Sequence, residues 1–130
     1  MSSELDYSED LSHPIPSLDA IDVHVVRKTG GSDLAVVIAS PLRGDERSMN
    51  RLLRKIQVYL EFIGSSEYDA QCGPPTPEST RIVVSVHPGS DPVVFDALEQ
   101  CQPWVASNRA SLKVFSAVPG ALDELYPPQE

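Results

Sequence analysis

Cysteine and histidine are both scarce in this chain, and their scarcity removes several kinds of chemistry at once. Cys72 and Cys101 are the two cysteines among 130 residues. They are too few and too far apart for a zinc site or a CxxC redox motif. Cys101 falls on a helical stretch and reads as a small buried hydrophobe. Cys72 sits in a Gly/Pro-rich loop; a bridge between the two stays open as the lesser alternative, since nothing else signals an oxidising compartment. The three histidines are His13, His24 and His87. None has a second histidine or carboxylate at helical ligand spacing, so no metal site is assigned. Asp22 and His24 share a strand face, but two donors without a third rarely hold a metal.

Long apolar runs are missing as well. None approaches the ~20 residues that span a bilayer. The opening SSELDYSEDLS lacks the basic and apolar regions of a signal peptide. The expectation is therefore a soluble cytoplasmic protein with no membrane partner. No GxSxG nucleophile motif and no Gly-rich phosphate loop is present, so no catalytic residue and no cofactor is assigned.

Cations are absent from both ends. Residues 1–19 carry Glu4, Asp6, Glu9, Asp10 and Asp19 with no Lys or Arg, and residues 116–130 carry Asp123, Glu124 and Glu130. The formal net charge of −9 is thus held by the ends, and residues 20–115 are nearly neutral. A basic surface supplies most nucleic-acid affinity, so this distribution argues against a nucleic-acid partner. It suits a basic protein partner instead. The division expected is an acidic flexible tail over 1–19, one domain over 20–118, and a second acidic tail over 119–130. Pro14 and Pro16 break any helix in the first tail.

What the chain does have is one long periodic stretch, RGDERSMNRLLRKIQVYLEFIG, from Arg43 to Gly64. Met49, Leu52, Leu53, Ile56, Leu60 and Ile63 recur at i, i+3, i+4, i+7, the spacing of one helix face. Asp45 is the expected N-cap, and Gly64 supplies a residue able to end the helix in the left-handed conformation. Opposite the apolar stripe lie Arg47, Arg51, Arg54 and Lys55. This reads as a solvated face, or as a docking stripe for an acidic partner. Towards the C-terminal end, Val58 and Phe62 make the helix apolar almost all round, so something must cover it.

Around this helix the remaining elements fall in order. Ile21 to Lys28 alternates as a half-buried strand, and Gly30-Gly31 suits a hairpin turn. Leu34 to Ser40 reads as a strand buried on both faces. Residues 65–79 read as a long loop, and Arg81 to His87 as a third strand. A second helix opens near Ser90 or Asp91 and is ended or kinked by Pro103. Leu112 to Val118 is the fourth strand. The expected fold is α+β, a β-β-α-β-α-β two-layer sandwich with a four-stranded mixed sheet and two helices on one face. The opposite sheet face is partly apolar, which admits a tail or a second subunit as its cover.

Candidate contact residues follow from exposure and charge. Glu67, Tyr68 and Asp69 in the long loop suit a basic partner, and Arg47, Arg51 and Arg54 suit an acidic one. Glu61, Glu67 and Asp69 show no spacing for acid–base work. The His87-Pro88-Gly89-Ser90-Asp91 junction has backbone N–H groups that an anion would use, and otherwise reads as an ordinary turn and cap. Trp104 reads as core or as an anchor beside the second helix.

The buried strand, the Asp45-Glu46 helix opening, the Tyr59, Leu60, Phe62 and Ile63 close, and RIVVSVHP together resemble small bacterial proteins of unknown function over about residues 20–115. The resemblance brings no catalytic residues. Some small acidic bacterial proteins of this build are immunity proteins, which bind and block a toxin. By that analogy the expected function is non-enzymatic: an immunity- or antitoxin-like inhibitor of a bacterial toxin. The alternative is a homodimeric module pairing through the uncovered sheet face.

Overall fold

The computed structural model describes residues 9–28 and 30–116. Four strands form one sheet in the order β1 (Val23–Val26), β2 (Ser32–Ile38), β3 (Thr80–Val86), β4 (Ser111–Ser116). The first pair is antiparallel and the other two pairs are parallel. The hairpin between β1 and β2 turns on Gly30 and Gly31, both at positive φ. At Gly31 a Cβ would lie 2.1 Å from the Ser79 carbonyl oxygen, so glycine is required there on steric grounds as well.

Between β2 and β3 the chain forms α1 (Glu46–Ile63) and α2 (Ser66–Cys72). Between β3 and β4 it forms α3 (Pro92–Gln100) and α4 (Gln102–Ser107). The strands progress across the sheet in one direction, and right-handed crossovers then put both helical connections on the same face. This is the two-layer α+β sandwich that the sequence implies. Leu34, Val36 and Ile38 of β2, and Ile82, Val84 and Val86 of β3, meet Leu52, Ile56 and Ile63 of α1 and Val94 and Leu98 of α3 in one core. Each such side chain contributes roughly 1.5–3 kcal/mol through burial.

Local signals set the helix ends. The Asp45 carboxylate accepts from the Ser48 backbone N–H and caps α1. Gly64 ends it at φ −83, so the left-handed conformation expected there is not used. The chain turns directly into α2, whose own cap is the adjacent Ser65, and no left-handed reversal is needed. The α3 helix stops at Cys101, and Pro103 takes the first turn of α4, where its missing N–H costs nothing.

Residues 65–79 are thus not a loop throughout. Tyr68 and Cys72, four apart, form the buried side of α2. Phe62 packs edge-on against both His24 and Tyr68, with ring centroids 5.5 and 5.6 Å apart. So α2 and β1 cover the apolar end of α1. Both cysteines are buried and free.

The second sheet face presents Asp33, Ala35 and Val37 of β2 beside Arg81, Val83 and Ser85 of β3. Asp33 is 3% exposed and is held by the Arg27 and Arg81 guanidinium groups together. Ala35 and Val83 are each only 1% exposed. Among the described residues, no helix is long and apolar enough to cross a membrane.

Candidate functional site

The cationic side of α1 is where sequence and structure diverge most. A helix with 3.6 residues per turn aligns Arg47, Arg51 and Lys55 along one edge. In the structure that edge is covered by the chain's own residues 10–22, an irregular strap of turns and bends. The Arg47 Nη2 pairs with Asp10 Oδ2 at 2.7 Å. Arg51 donates to the Ile15 carbonyl from Nε (3.1 Å) and Nη2 (2.7 Å), and reaches the Pro16 carbonyl at 3.2 Å. Lys55 Nζ donates to the Ser17 carbonyl at 2.6 Å and to Asp22 Oδ1 at 2.8 Å. Arg51 is 0% and Lys55 1% exposed.

The described part of the expected 1–19 tail is therefore folded against the helix. The first eight residues, like 117–130, lie outside the described residues. The physical reason lies in the strap itself. Prolines 14 and 16 restrain a turning backbone in which the Ile15 carbonyl faces Arg51 and the Pro16 carbonyl takes the Asp10 N–H as well as Arg51, and Ile15 and Leu18 bury to 2% exposure beside them. A buried guanidinium or ammonium is tolerated only when its donors are matched, and these carbonyls match them. Arg51 is accordingly a structural residue and not an accessible docking contact. Arg47 and Arg54 remain half-buried.

A polar relay locks the strap to the start of α1. The Ile15 N–H donates to His13 Nδ1 at 2.9 Å, so that nitrogen carries no proton. The imidazole proton is then on Nε2, which donates to Ser48 Oγ at 3.0 Å. The Ser48 hydroxyl bonds in turn to Asp45, which with the Ser48 N–H holds that carboxyl below the usual range. Burial lowers the His13 pKa, and the Arg51 and Arg47 charges lower it further. Asp10 is also held down, by the Ser12 hydroxyl first and by Arg47. A cavity of about 300 Å³ opens beside the relay, lined in part by Asp10, His13, Arg43, Asp45 and Arg47. The direction of the relay matters chemically. With Nε2 protonated and facing Ser48, the imidazole is no base for that hydroxyl, and Ser48 is not an activated nucleophile.

The remaining candidates separate. Tyr68 is fully buried: its hydroxyl meets Ser32 Oγ at 2.8 Å and Thr80 Oγ1 at 2.9 Å. It is a core residue, not a partner contact. Glu67 and Asp69 flank it on the exposed side of α2, and among the described residues no ion pair engages either. Asp22 turns to Lys55 and to the Val37 N–H, while His24 stacks on Tyr68, so the two do not converge. Burial lowers the His24 pKa.

At the 87–91 junction the Gly89 N–H donates to His87 Nδ1 and the Ser90 N–H to the His87 carbonyl. Ser90 Oγ and the Asp91 N–H hold the backbone of Leu42. Those N–H groups are consumed internally, and the junction braces the loop before α1 instead of presenting an anion nest. Trp104 packs half-buried against the core.

No family model matches this chain, and no curated protein or solved structure proved significantly similar to it.

Proposed function

We propose that the chain is a non-enzymatic protein-binding module, an immunity- or antitoxin-like inhibitor of a bacterial toxin acting in the cytoplasm. Its contact surface is the exposed side of α2, where Glu67 and Asp69 meet a basic partner. One observation carries this reading. Arg27, Arg47, Arg51, Lys55 and Arg81 are engaged by Asp10, Asp22, Asp33 and backbone carbonyls, while Glu67 and Asp69 face solvent without an ion pair. Exposed acids left uncompensated in this way steer association with a basic surface and raise its rate.

The test is capture of a partner from native lysate by the tagged chain, repeated with Glu67→Lys/Asp69→Lys. Both positions are exposed, so the variant should keep its fold. A stoichiometric partner released by added salt and lost in the double variant supports the reading. Capture that ignores the charge reversal overturns the α2 surface. Recovery of the chain alone, with a dimer mass in sedimentation, transfers the case to the homodimeric alternative.

A further inference from the structure

We propose that the strap is an acid-released latch: protonation of His13 detaches residues 9–16 from α1 and uncovers Arg47 and Arg51. The geometry carries the inference. In the docked state His13 has room for one proton only, on Nε2, because Nδ1 accepts the Ile15 N–H at 2.9 Å. A second proton has to go on Nδ1, which sets two donors against each other and breaks that bond. The same Ile15 supplies the carbonyl that takes two of the Arg51 bonds, so disturbing its backbone also loosens the guanidinium.

The charges around the ring work in both directions. Arg47 and Arg51 from α1 oppose the imidazolium, while Asp10 from the strap and Asp45 at the helix cap favour it. Arg43, from the loop before α1, lines the same cavity. Burial and the two guanidinium groups prevail, and the docked ring titrates below its free value of 6.5. The sign follows. A group whose pKa is depressed by docking contributes fully above its free value, and its contribution is lost as pH falls below it. Docking is therefore intact above pH 6.5 and weakens on acidification, the window in which histidine switches operate. Leu18, the Lys55 bonds to Ser17 and Asp22, and the core keep the rest of the strap in place.

The experiment is an NMR titration of the full chain between pH 7.5 and 5.0. The His13 ring nitrogens are followed together with hydrogen-exchange protection factors of the Ile15 and Leu60 amides. The expected result is an Nε2–H ring at pH 7.5 that titrates below 6.5. Ile15 protection is then lost in step with the ring, and Leu60 stays protected. In His13→Asn, the amide oxygen replaces Nδ1 as acceptor without titrating, and Ile15 stays protected throughout. A ring that titrates at or above its free value overturns the proposal. So does Ile15 protection that falls together with Leu60, or that falls equally in His13→Asn.

Discussion

Two places in this molecule bury charge, and they do it by opposite means. On the helix side of the sheet, Arg51 and Lys55 are sealed under the strap and bonded to the carbonyls of Ile15, Pro16 and Ser17, with the Asp22 carboxylate on Lys55. On the other side, the Asp33 carboxylate is 3% exposed and is gripped by Arg27 and Arg81. In the first case the buried group is a cation and its acceptors are mostly neutral backbone. In the second it is an anion whose partners keep 33% and 41% of their side-chain surface in water. A neutral acceptor satisfies a donor without adding a second desolvated charge, so the strap arrangement avoids part of the penalty of a buried ion pair. It also makes the cation depend on a piece of backbone that has to be held in place. Position, more than charge, is what that site requires.

The sharpest way to break the comparison is Arg51→Ala. It leaves the buried Ile15 carbonyl without the Arg51 donors, takes one of two donors from the Pro16 carbonyl, and should lower stability by about 3 kcal/mol. Urea unfolding at pH 7.5 reads this directly. Arg51→Lys should recover only part of the loss, because an ammonium does not reproduce the fork that reaches both carbonyls.

A smaller effect is expected at the other site. Asp33→Asn removes the central charge, but the half-exposed Arg27 and Arg81 can turn to solvent, and the loss should be about 1–2 kcal/mol. A loss equal to that of Arg51→Ala in the same urea series would erase the distinction drawn between the sites. The smallest change belongs to Asp10→Asn, which weakens the half-buried pair with Arg47. Its midpoint shift should be the least of the three and should shrink further with added salt, since both partners still reach water and salt screens them.

Much of the architecture was legible because it rests on local chemistry. The α1 stripe, the Asp45 cap, the Gly30-Gly31 turn and the Pro103 break are each written in a few neighbouring residues, and the structure uses them. Tyr68 was misread because Pro74, Pro75 and Pro77 lent their loop character to the whole of 65–79. Yet the spacing of Tyr68 and Cys72 already carried the helical signal that places both against the core. The strap was misread for a different reason. Charge and prolines suggested a solvated tail, and nothing within residues 9–22 says that Arg51 lies opposite. Ile15 and Leu18 were the clue, two aliphatic residues amid prolines and acids.

The sequence by itself determined the order of the four strands and the two principal helices, the inward stripe of α1 and the mixed sheet, since hydrophobic period and turn residues act over a few positions. Only the tertiary structure decided what became of the charges. The cations of α1 meet carbonyls about 35 residues away in the chain, and Asp33 meets Arg81 only because β2 and β3 pair in parallel register. A charged side chain reads the same in sequence whether it faces water or a partner distant in the chain. Burial separates the two, and burial is a property of the folded assembly of elements.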